Sequence, residues 1–271
     1  MKRIKRISIK NNSRKLDMFA YLKESKKAIN IIMIIFGIGI LLGLSGATYL
    51  HSILAPLLKN IIKETSNLSS PELMLFIFTN NSLTSFLGLI YGIFAGVFPI
   101  FAALFNGILI GYVISLTLGA ARVYELWRLF PHGIFELPAI FISLGIGLNL
   151  GMSAILNFIK KSKKNNVMKF FGIFSAFLGI ISLSIFQLSL NILSSKSNLF
   201  SQSVLTAISI VLLIMGITLL LPFITIFFIM DKELREQNIK NFKLAIMIFF
   251  LIIIPLLIIA AIIEGLLITI L

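Results

Sequence analysis

Apolar runs near or above the length that crosses a bilayer recur along this chain, and they decide what it can fold into. A helix needs about 20 consecutive apolar residues to span the hydrocarbon core. Of 271 residues, 58% are hydrophobic and only 13% charged, about half the charge of an ordinary soluble chain. The alternation expected of membrane β-strands, about ten residues per segment, does not occur. The expected fold class is therefore all-α, a polytopic transmembrane helical bundle.

Seven segments can be drawn, at 28–50, 81–98, 100–120, 133–158, 170–192, 203–230 and 244–268. The second and third are nearly continuous. One helix of about 40 residues would be about 60 Å long, twice the core thickness. The run must fold back, and Phe98-Pro99 is the expected break, since an internal proline removes a helical donor. With the N-terminus in the cytoplasm, the inner segments 1–27, 159–169 and 231–243 hold 10, 5 and 4 Lys/Arg. The outer segments hold Lys59, Lys63, Arg122, Arg128 and Lys196, so the bias is 19 against 5. A single crossing over 81–120 would destroy that bias. The expected organisation is a basic cytoplasmic tail, 1–27, resting on anionic headgroups, and a single transmembrane domain, 28–271. A re-entrant pair over 131–158 is the alternative to a full fourth span. No early apolar run follows the basic N-terminus, so no cleavable signal is expected.

The net charge of +14 sits in short loops between apolar runs, which points to membrane topology and not to nucleic acid. The chain has no cysteine, so disulfides and thiol chemistry are excluded. Residues 52–64 space Ile53, Leu54, Leu57, Leu58, Ile61 and Ile62 as one helical face, which suits a helix on the outer interface. Ser70-Pro71-Glu72 reads as a cap, a first-turn proline and an acid at the helix dipole, opening a short helix to Asn80. Gly88, Gly92 and Gly96 share a face of the second span. Gly107 and Gly111 do so on the third, and Gly147 and Gly151 on the fourth. Small-xxx-small spacing lets helices approach closely in lipid, so spans two, three and four are expected to form the inner core.

Ionisable groups at membrane depth are costly and mark candidate sites. The topology puts His132 and Glu136 at the outer end of span four, Asn80 and Asn81 at the outer end of span two, and Glu264 in the outer part of span seven. Arg122, Glu125 and Arg128 flank them on an outer loop. These groups are expected to line an outward-facing polar pocket that holds an Arg–Glu pair. Asn106 and Asn149 fall toward the cytoplasmic side. Taken singly, each group is equally well explained as a helix cap or a snorkelling side chain.

Catalytic readings fare worse. A metalloprotease needs three protein ligands and a general base, and His132 with Glu136 gives two ligands at most; His51 is distant in sequence, so no metal or cofactor is expected. The only aspartates, Asp17 and Asp231, fall in cytoplasmic segments. Gly43-Leu44-Ser45-Gly46 matches the rhomboid tetrapeptide GxSG, but a glycine-rich span yields that pattern easily. The chain is not expected to be an enzyme.

Pro131-His132-Gly133-Ile134-Phe135-Glu136-Leu137-Pro138-Ala139, followed by Gly147-Leu148-Asn149-Leu150-Gly151, resembles the stage II sporulation protein M family. That family's mark is a PHGxxELPA-like stretch and a GLxLG-like one. Asn80-Asn81 and Asn106-Gly107 resemble its upstream half, and Ala260-Ala261-Ile262-Ile263-Glu264 with Thr269 its closing span. Asn149 departs from the basic residue often expected in GLxLG. The resemblance implies a polytopic protein of the cell membrane acting in envelope remodelling, with other envelope membrane proteins or cell-wall hydrolases as partners. A non-catalytic scaffold fits that implication. The competing expectation is a transporter or channel component with its polar site at His132, Glu136 and Glu264. The glycine faces would serve a homo-oligomer as well as internal packing.

Overall fold

A computed structural model describes residues 2–92, 96–120, 130–161 and 232–270. Every regular element among the described residues is helical: α1 (Lys2–Ser45), α2 (Ala47–Thr65), α3 (Ser70–Gly92), α4 (Val97–Gly119), α5 (Phe130–Lys161), α6 (Lys232–Ile248) and α7 (Ile254–Ile270). A π-helical turn, Phe249–Ile253, joins α6 and α7 into one rod. Pro255 accounts for that turn, because it has no N–H and its ring crowds the carbonyl four residues back; the wider turn gives the backbone room. Five stretches are long and apolar enough to cross a membrane: Leu16–Ser45, Ser70–Gly92, Val97–Gly119, Gly133–Ser153 and Arg235–Glu264. The segments expected at 170–192 and 203–230 lie outside the described residues.

Several boundaries differ from expectation, each for a local reason. α1 shows no break between the basic segment and the first span. Met18, Tyr21, Ser25, Ala28, Ile32 and Phe36 are all buried, and their three- and four-residue spacing forms one stripe through the charged stretch. The expected short helix ending at Asn80 and the span starting at 81 are one helix, α3. Its cap is Ser69, one residue earlier than expected. The Ser69 N–H donates to Glu72 Oε2 at 2.8 Å and its hydroxyl to the same oxygen at 2.6 Å, half of a capping box. The chain turns before Pro99, at Gly96, which has φ +69° and caps α4. Pro99 then falls in the first turn of α4, where a missing N–H costs nothing. α5 is one continuous helix, so the re-entrant pair drawn as an alternative over 131–158 does not form. α2 is helical, as its amphipathic spacing predicts; Leu54 faces inward while Tyr49, Ile53 and Ile62 stay exposed.

Glycine sets two close helix pairs. Gly107 on α4 lies against the Phe36 carbonyl and 3.0 Å from where a side chain on Gly39 would begin; Gly111 lies against Ile40 and Gly43 against Ile108 and Tyr112. This α1–α4 seam is the most extensive in the fold. The second pair is α3–α5, where Gly92 meets the Gly147 backbone and Gly88 takes the Leu144 side chain. Ser143 Oγ donates across the same seam to the Ser85 carbonyl at 2.6 Å. Spans two, three and four do touch one another, α3 with α5 and α4 with both, but the expected glycine contacts are shared out differently. The glycines of α4 face α1, and α3 pairs with α5, the most buried of the candidate spans. Gly151 is buried on α5.

The contacts also give relative directions. Residue numbers rise together across α1–α4 and across α3–α5, so each pair is parallel. Ser25 meets Asn149 while Phe36 meets Phe141, so α1 and α5 are antiparallel. Asp17 of α1 pairs with Lys240 of α6 at 3.4 Å, and Glu264 of α7 shares a cavity with Glu136 near the start of α5, so the α6–α7 rod runs antiparallel to α5. α1, α4 and the α6–α7 rod therefore run one way, and α3 and α5 the other. Exposed residues such as Ile34, Leu41, Leu75, Phe101 and Phe250 cover the outside with apolar surface suited to lipid.

Candidate functional site

The structure brings Asn80, Asn81, Glu136 and Glu264 together, as the sequence predicts, in one cavity of about 760 Å³. α3 supplies the first two, α5 Glu136 and α7 Glu264. Asn81 hydrogen-bonds the Glu136 carboxylate, and the Glu264 carboxylate is close enough to act on it electrostatically. Both residues are half-buried. Two like charges about 5 Å apart repel by about 3 kcal/mol at an effective dielectric constant of about 20. The remaining wall is apolar, with Phe76, Ile77, Leu109, Ile110, Ile114 and Leu137.

Two placements differ from expectation. Asn106, expected at the same level as Asn149, belongs to this cavity and Asn149 does not. Its Nδ2 donates back to the Ala102 carbonyl at 2.8 Å, leaving its amide oxygen as the free acceptor at the wall. Asn81 lies midway along α3 and not near an end, because α3 begins at Ser70. The cavity therefore reaches toward the middle of the bundle. One further polar atom follows from the covalent structure. Pro138 lies inside α5, so the carbonyl of Ile134, itself on the cavity wall, lacks its helical donor. The expected Arg–Glu pair of Arg122, Glu125 and Arg128 falls outside the described residues.

Asn149 instead belongs to a second polar layer at the opposite end. Its Nδ2 donates to Ser25 Oγ at 3.1 Å, and Ser25 Oγ donates to the Tyr21 carbonyl at 2.9 Å. Beside it, Asp17, Glu24, Glu233, Glu236 and Lys240 line a cleft of about 430 Å³ between α1 and α6. The GxSG tetrapeptide resolves into local structure. Ser45 Oγ donates to the Leu41 carbonyl at 2.8 Å, and His51 Nδ1 pairs with Tyr112 Oη at 2.7 Å, joining α2 to α4. Among the described residues no group of three His, Cys, Asp or Glu side chains is placed to hold a metal.

These features define a class first: an integral membrane protein whose glycine-seamed helices enclose a cavity with two carboxylates. The chain belongs to the stage II sporulation protein M family, whose sequence model matches residues 32–188. That match takes in α2 to α5, the last third of α1, and every described cavity residue except Glu264. No curated protein and no solved structure matches the chain.

Proposed function

We propose that this chain is a multi-pass protein of the cell membrane, with seven crossings and a cytoplasmic N-terminus, and that its bundle carries a ligand-binding chamber of the kind a transporter or channel component uses. One observation carries the reading: Glu136, Glu264, Asn81 and Asn106 converge from four helices on a single cavity. Ligand sites tend to be concave and mainly apolar, with a few placed polar groups. Burying two carboxylates without such a use is costly in lipid. The alternating helix directions favour the topology. The end of α5 and the start of α6 share a layer, which suits an even number of crossings between them, and the Lys/Arg bias sets that layer inside.

The family's envelope role favours a second reading, a non-catalytic scaffold in an envelope complex. The exposed apolar residues of α2, Tyr49, Ile53 and Ile62, offer such a complex a surface. Affinity purification in mild detergent, with and without Glu136→Gln, separates the two. A stoichiometric envelope partner kept by both forms supports the scaffold. Loss of ligand binding or flux in Glu136→Gln, with partners unchanged, supports the chamber.

A further inference from the structure

The lining of the chamber is asymmetric in charge. It holds two carboxylates and the amides of Asn80, Asn81 and Asn106. No Lys, Arg or His appears among the described lining residues. Among the described lining residues the carboxylate and amide oxygens are acceptors, and the carboxylates carry the only formal charge. A buried charge needs an opposite charge or a dense set of donors. The only donors on the described wall are amide N–H groups, and Asn106 turns its own toward the Ala102 carbonyl. Among the described lining residues no side chain supplies the counter-charge, which leaves a ligand to supply it.

Size and apolarity then narrow the class. A bare inorganic ion takes six to eight oxygens at about 2.3–2.6 Å or a tight octahedral shell. A cavity of about 760 Å³ with a mostly apolar wall does not provide that. It has the volume of a site for a drug-sized molecule. Ile77, Leu109, Ile110 and Leu137 match an apolar body, while Glu136 and Glu264 match a cationic centre.

Resting on the chamber reading above, we infer that the site takes a lipophilic organic cation, an ammonium-type centre carrying an apolar body, with Glu136 and Glu264 as its paired counter-ions. Asn81 acts as a positioning residue, because its amide holds the Glu136 carboxylate at the wall.

The test uses the full chain in lipid nanodiscs with radiolabelled tetraphenylphosphonium as the probe. Tetraphenylborate, of the same shape and opposite charge, is the control, and empty nanodiscs give the background. The expected result is saturable binding of the cation, no competition by the anion, and at least tenfold weaker binding in Glu136→Gln and in Glu264→Gln. Glu136→Asp should retain most of the binding. Leu109→Trp, which adds bulk at the half-buried wall without changing charge, should abolish it while the protein keeps its gel-filtration profile. Equal binding of both probes, or cation binding indifferent to the Gln substitutions, overturns the inference. Carboxylate-dependent binding of sodium alone also overturns it, yet leaves the chamber reading standing. Binding of no probe, with Glu136 shielded from water-soluble reagents, removes both.

Discussion

Gly111→Ala and Gly37→Ala are the same substitution within the same bundle, and they should have opposite effects. A methyl added at Gly111 would run into the Ile40 carbonyl oxygen and sit 2.9 Å from its carbonyl carbon and 3.0 Å from its Cα. Those atoms are backbone and cannot rotate away. Carbon pairs prefer about 3.5–4.0 Å, so α1 and α4 must part by about half an ångström or more. Overpacking of this kind costs about 1–3 kcal/mol. A methyl at Gly37 meets nothing within 4 Å. Alanine also favours helix over glycine by about 1 kcal/mol, a gain common to both sites, so it cancels in their difference. Gly37→Ala should be neutral or stabilising by up to about 1 kcal/mol. Gly111→Ala should fall about 1–3 kcal/mol below it. Equilibrium unfolding in mixed dodecyl maltoside and dodecyl sulfate micelles, followed by far-ultraviolet circular dichroism, measures both. Two variants within about 0.5 kcal/mol of each other, less than the smallest overpacking cost, would refute the glycine seam.

Three further outcomes are expected. Glu72→Ala removes the acceptor of both Ser69 bonds and should speed amide exchange, confined to the first turn of α3. Tyr112→Phe removes the partner of His51 and should cost about 1 kcal/mol, with protease sensitivity rising in α2 and unchanged in α5. Asp17→Asn breaks an ion pair whose two side chains are 49% and 61% exposed, so its effect on stability should stay below about 0.5 kcal/mol; a larger loss in the same unfolding assay would contradict that placement.

Much of this architecture is legible in the residues, and the exceptions have physical causes. Apolar length marks the spans at α4 and α5 well, because their polar residues, Asn106, Glu136 and Asn149 among them, stand singly in long apolar runs. It misplaces the start of α3, because Asn80 and Asn81 look like an end when they are polar residues inside a helix that has found a use for them. It also hides the inner half of α1. There the hydropathy is low, and only the stripe of Met18, Tyr21, Ser25 and Ala28 shows a face being buried. Gly39 and Gly43 carry the same small-xxx-small signal as Gly107 and Gly111, and their pairing with α4 requires knowing which helices are parallel. The union of Asn81, Glu136 and Glu264 follows from topology alone. The membership of Asn106 does not, because depth counted from segment ends misses the course of each helix through the bundle.

The claim that these side chains share one outward-facing chamber has a direct test. The chain has no cysteine, so introduced thiols report alone. Glu136→Cys and Glu264→Cys, combined in one chain in intact cells, should be joined by a short bifunctional thiol reagent. Each thiol singly should react with a membrane-impermeant maleimide added from outside. Failure of the pair to cross-link, with both thiols unreactive from outside, would contradict the account.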